Sequence, residues 1–138
     1  MADREIIVPE SMKLIPERIG YAPAVKVGDT LYCSGQIGRT PDLVVIEDPE
    51  QQFIAAWENM RDVLHAGGCT FEDVVDMTTY HVDLATHMDL FRTIKDRYVP
   101  RGLSAWTCIG VGLATRANKT SPLKPTPARQ LTPHGSIV

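Results

Sequence analysis

The chain is poor in the features that would place it outside ordinary globular proteins. It has three cysteines in 138 residues, Cys33, Cys69 and Cys108, which cannot all pair within one chain. Their spacing fits no zinc motif, and reduced thiols are expected. No apolar run approaches the roughly 18–20 residues a membrane span needs. The N-terminus Met1-Ala2-Asp3-Arg4-Glu5 carries both signs of charge and no apolar stretch follows it. No signal peptide or membrane partner is therefore expected, and the expected location is cytoplasmic. A net charge of −3 lacks the basic footprint of a nucleic-acid binder, so no nucleic-acid partner is expected.

Acid is also missing from one region. Thr115 to Val138 holds Arg116, Lys119, Lys124 and Arg129 and no acidic residue, leaving ten basic residues against 17 acidic ones elsewhere. Pro122, Pro125, Pro127 and Pro133 interrupt every candidate element in the same stretch. Residues 114–138 thus read as a basic, proline-rich, irregular tail that packs on something else. Asn118-Lys119-Thr120 is a glycosylation sequon by pattern only.

What is present is a single domain over residues 1–113. Residues 1–20, with Pro9 and Pro16, read as an irregular or edge segment. Residues 21–27 and 30–36 read as two strands of a hairpin around Gly28-Asp29. A loop follows over 38–48. Asp48-Pro49-Glu50 starts a helix, Phe53, Ala56, Trp57, Met60, Val63 and Leu64 give it an apolar stripe, and Gly67-Gly68 stops it. Thr70–Asp73 is a short capped turn. A strand over 74–82 places Val75, Met77, Thr79 and His81 on one face. A second helix over 86–98 carries Met88, Phe91, Ile94 and Tyr98. The order β-β-α-β-α-β predicts an α+β fold, a mixed sheet with helices on one face.

The last of these strands, Ser104 to Val111, has an unusual face. Trp106, Cys108 and Gly110 share it, opposite Thr107, Ile109 and Val111. One indole beside two small residues leaves a hollow, the expected wall of a small-molecule pocket. His81, Asp83 and His87 sit near a strand end in metal-like company, but three ligands across an undefined turn predict no metal site. His81 reads as a hydrogen-bonded strand residue, and His65 suits the end of its helix dipole.

Four stretches together resemble the Rid family, also called YjgF/YER057c/UK114 or L-PSP endoribonuclease and including RutC-like proteins. They are Gly20-Tyr21, Gly28 to Gln36, Ala66 to Val75 and Ala105 to Val111. The resemblance implies a chorismate-mutase-like fold and a homotrimer with clefts between subunits. It implies hydrolysis of small enamines or imines to a keto acid and ammonia, with no cofactor. On this resemblance Tyr21, Ser34 and Cys108 match the family's pocket tyrosine, serine and cysteine, with Gly35 and Thr107 beside them. Trp106 stands where the family's carboxylate-gripping arginine belongs, the mark of a divergent branch. The family's water-positioning glutamate, about 13 residues beyond the cysteine, falls at Ser121-Pro122, and its helix asparagine falls near Phe91.

An indole offers one N–H and no charge, a poor substitute for a guanidinium on a carboxylate. Trp106 either stacks a flat ligand or fills the cleft. Arg39 or Arg116 restores the positive charge if its loop folds back. Weak or no activity on 2-aminoacrylate-type imines is expected from a hydrolase or deaminase of this kind. A non-catalytic small-molecule binder is the alternative, and RNA cleavage the least favoured. Cys108 is either a nucleophile or a small buried hydrophobe.

Overall fold

A computed structural model describes residues 3–111 and the backbone of the strand at 130–133. Strands β1 (Arg4–Ile7), β2 (Ala24–Val27) and β3 (Thr30–Cys33) form an antiparallel meander, with Ile6 opposite Val25 and Val25 opposite Tyr32. Strand β4 (Asp76–His81) pairs in parallel with β5 (Ala105–Gly110) and antiparallel with β6 (Gln130–Pro133). Strands β3 and β6 are neighbours, so the two three-stranded sheets adjoin there. Helix α1 (Pro49–Ala66) connects the two sheets in the chain, and α2 (Leu84–Tyr98) makes the crossover that parallel β4 and β5 require.

The α+β fold with a mixed sheet is therefore as expected, and two strands extend it. The segment expected to be irregular or at an edge contains β1, which is an edge strand. The tail expected to be irregular throughout contributes β6. Pro133 is tolerated because it closes β6, an outer strand of its three-stranded sheet. The rest of the tail, including Arg116, the sequon and Ser121-Pro122, lies outside the described residues.

Helix α1 begins and ends as its sequence dictates. The Asp48 carboxylate accepts from the Gln51 N–H at 3.0 Å, Pro49 fills the first turn, and the chain leaves the helix at Gly67. Gly67 suits the packing here, since a Cβ would press into the Leu31 side chain and make it shift. The capped turn at Thr70 is a full capping box with Asp73.

Phe53, Trp57, Met60, Val63, Phe91 and Ile94 are almost wholly buried against Leu31, Cys33 and Met77 from the strands. Trp57 stacks on Tyr98 at 6.0 Å between ring centres and lies edge-on to Phe71. Both helices thus cover one face of the sheet. The opposite face keeps large apolar groups in the open, among them Ile6 at 54%, Tyr32 at 49% and Ile109 at 38% exposure.

Candidate functional site

The first group of predicted site residues forms around a turn. Ile15–Ile19 is a π-helical turn that ends at Gly20, whose φ of 88° suits a residue without Cβ. The chain redirected there delivers Tyr21, which is half-buried against the core. Ser34 follows β3. Its N–H donates to Pro23 O at 2.9 Å and its hydroxyl donates to Ala22 O at 2.6 Å. Ser34 is thereby tied to the residue next to Tyr21, with Gly35 immediately after it. Gln36 is buried and donates from Nε2 to Ser34 O at 3.3 Å, which fixes the backbone at this corner.

Arg39 completes the group. The loop between β3 and α1 folds back, and Arg39 Nη2 donates to Tyr21 Oη at 2.7 Å. Two amides on α1, seven residues apart and so on one helical face, hold that loop. Asn59 Nδ2 donates to both Ile37 O and Arg39 O at 3.0 Å. Gln52 Nε2 donates to Ile46 O at 2.6 Å. Gly38 is pressed against the Gln52 backbone so closely that a Cβ would collide with its carbonyl.

The second group lies on β5. Trp106 pairs across from Met77 and Cys108 from Thr79, so both face the helices, while Thr107 points to the open side with Thr78. Trp106 is packed by its own chain. Its Nε1–H donates to Thr79 Oγ1 at 2.9 Å, Phe91 lies 6.1 Å away, and Lys95 Nζ sits 4.9 Å over the ring. Lys95 is largely covered and also meets Asp96 at 2.9 Å. These contacts favour the filling role for the indole over the stacking one. The His81 ring shares the same hydroxyl, with Nε2 2.7 Å from Thr79 Oγ1, and lies edge-on to Phe91 at 4.4 Å. Among the described residues no group of three His, Cys, Asp or Glu side chains could hold a metal ion.

The three cysteines differ. Cys108 is half-buried. Burial, and to a lesser degree neighbouring Cys69, push the Cys33 thiol up to about 12, so it stays protonated and unreactive. Cys69 lines a cavity of about 330 Å³ with Asp29, Leu64, Gly68 and Asp73, at the start of β3 and so at the other end of that strand from Ser34. A second cavity, of about 10 Å³, lies behind the loop of Arg39 beside Met12, Ile15 and Asn59.

The structure does not bring the two groups together within one chain. Between β3, which leads into Ser34, and β5, which carries Cys108, lie β6 and β4. The resemblance places these residues at clefts between subunits, and their separation in one chain does not test that placement. Sequence reasoning named Arg39 only as a charge that would serve if its loop folded back. Gln52 and Asn59, which do the folding back, it missed. Two amides seven residues apart, on one face of α1 beside its apolar stripe, were the available signal.

An α+β chain with a tyrosine–serine corner just past β3 and a cysteine-bearing outer strand β5 defines the class. The chain belongs to the family described as endoribonuclease L-PSP, whose model matches residues 13–120. The RutC family protein YjgH of Escherichia coli is 31% identical over 112 residues, covering 80% of this chain and 86% of that protein. A solved structure of protein YjgH superposes with a TM-score of 0.80 at 26% identity, covering 94% of this chain and 93% of that one. The 2-iminobutanoate/2-iminopropanoate deaminase of Dermatophagoides farinae is 42% identical over 86 residues, covering 58% of this chain and 62% of that protein. No helix among the described residues is long and apolar enough to cross a membrane.

Proposed function

We propose that this chain is a hydrolase of small 2-imino acids, working at a cleft between copies of itself. Relatives named as 2-iminobutanoate/2-iminopropanoate deaminases put imine hydrolysis within the family. In that reaction water adds to the C=N carbon, the C–N bond breaks, and a 2-keto acid and ammonia leave. The observation that carries the reading is the Tyr21–Ser34–Arg39 corner, which offers polar groups of defined direction just past the end of β3. Ser34 donates its proton to Ala22 O, so its oxygen is left to accept from an imine N–H.

The chemistry is slow by family standards. No glutamate follows Glu72 in the sequence, so water activation falls to hydroxyls and carbonyls, poor bases near neutral pH. Positioning supplies the acceleration. Weak turnover of 2-aminoacrylate-type substrates is the corollary.

The cleft requires more than one copy, because Cys108 and Ser34 lie on opposite sides of the subunit's sheet centre. A homotrimer would set the β5 edge of one copy against the Tyr21–Ser34 corner of the next. It would also cover the apolar face that carries Ile6, Tyr32 and Ile109. The test generates 2-iminopropanoate or 2-iminobutanoate in place with an amino-acid oxidase and follows ammonia and keto acid. Release above the uncatalysed rate, lost in Ser34→Ala, supports the reading. Release no faster than buffer across amino-acid-derived imines refutes it, and sedimentation as a monomer refutes the shared cleft.

A further inference from the structure

We propose that Arg39 grips the substrate carboxylate, taking over the role that the family's arginine holds at the position of Trp106. The inference rests on the imino-acid reading above. It names the residue that gives that site its specificity for an anion.

Arg39 is a placed side chain. Its N–H donates to Ile37 O at 2.9 Å, its C=O accepts from Asn59, and it bridges Val45 across the loop. Backbone bonds from Thr40 to Val44 and from Ile46 to Gly38, each 2.9 Å, close the loop around it. Arg39 is half-buried as a residue and its guanidinium is bonded to the core-packed Tyr21, so less side-chain freedom remains to be lost on binding.

Its partner is neutral. Arg39 donates one bond, to Tyr21 Oη, out of five possible. Among the described residues the ion pairs are Lys13–Glu10, Arg61–Glu58, Lys95–Asp96 and Arg101–Asp96, and no carboxylate lies within ion-pair distance of Arg39. A guanidinium with free donors and no counter-charge matches the two oxygens of a carboxylate.

Tyr21 strengthens the receptor. Its oxygen accepts from Arg39, so its own proton is directed elsewhere. The guanidinium fork and the phenol O–H can therefore converge on the two oxygens of one carboxylate. Ser34, tied to Ala22 beside Tyr21, accepts from the imine nitrogen at the other end of the same small molecule.

Trp106 cannot compete for the role. Its one donor is spent on Thr79, and the nearest charge, Lys95, lies over its ring and is paired with Asp96. The clamp has moved from the edge strand to the loop after β3.

The test uses the full chain and the product-like probe 2-oxobutanoate, with its neutral amide as control, titrated by calorimetry or chemical-shift change. Wild type binds the acid more tightly than the amide. Arg39→Gln weakens the acid on the order of 100-fold, and Arg39→Lys, which keeps charge but loses the fork, roughly tenfold. The amide is equally weak in all three. Unchanged acid affinity in Arg39→Gln, with its thermal midpoint intact, overturns the proposal. Should Arg39→Gln not fold, Arg39→Lys decides by the same comparison. The kinetic arm separates the two readings. Hydrolysis with KM unmoved in Arg39→Lys refutes the clamp and leaves the hydrolase. Arg39-dependent binding of the acid without ammonia release refutes the hydrolase and leaves the clamp.

Discussion

Replacing Asn59 by alanine removes two of the three side-chain hydrogen bonds that hold the loop of Arg39 to α1, leaving the one from Gln52 to Ile46 O. Each net bond is worth about 0.5–1.5 kcal/mol, and the orphaned Ile37 and Arg39 carbonyls are partly reached by water. Alanine returns a few tenths through its better helix propensity. The expected loss is about 1–2 kcal/mol. In a chain of this size that lowers Tm by roughly 4–8 °C, measured at one fixed protein concentration because assembly also shifts it. Function should suffer out of proportion. The guanidinium would still be present, yet its backbone would be free to drift by an ångström, and 2-oxobutanoate affinity should fall about tenfold. Urea unfolding and ligand titration on one preparation check both numbers. A Tm within 1 °C or so of wild type would refute the anchoring role. A Tm loss with unchanged affinity would separate the anchor from the site.

Other perturbations test other parts of the molecule. Gly38→Ala should cost about 1–3 kcal/mol in urea unfolding, because its Cβ meets the rigid Gln52 backbone. Trp106→Phe should cost about 1 kcal/mol through the lost bond to Thr79 and leave KM unchanged, whereas a stacking role would raise KM. Cys33 gives a pH signature. Its thiol is pushed up to about 12 when folded, above the value near 8.5 of an unfolded chain. The folded state holds that proton more tightly, so the contribution is whole below about pH 8.5 and drains away as pH rises toward 12. Wild type should therefore lose stability with rising pH more steeply than Cys33→Ala, by at most about 1.4 kcal/mol per pH unit. Parallel curves would show that the thiol is not desolvated.

Local chemistry made much of the fold readable. The bounds of α1 were set by Asp48-Pro49 and Gly67-Gly68, and the faces of β4 and β5 by simple alternation. The strand β6 was not readable, because Gln130-Leu131-Thr132-Pro133 has weak strand character of its own and is held by pairing with β4. The hollow beside Trp106 followed soundly from one large residue among small ones, but Phe91 and Lys95 enter that space from α2. The corner of Tyr21 and Ser34 was found through resemblance. Its third member depended on Gln52 and Asn59, polar residues on a helix that looked outward until the loop was laid across them.

The position of β6 has a consequence for how the chain must fold. The β1–β3 meander and the β4–α2–β5 unit each close through nearby residues and can form as they emerge during synthesis. The strand lying between them comes last, some fifty residues after the strand it pairs with, so the two halves are joined only when the chain is almost finished. A ribosome stalled near residue 113 would hold two partly structured halves with their inner edges bare, open to pairing with any neighbouring chain.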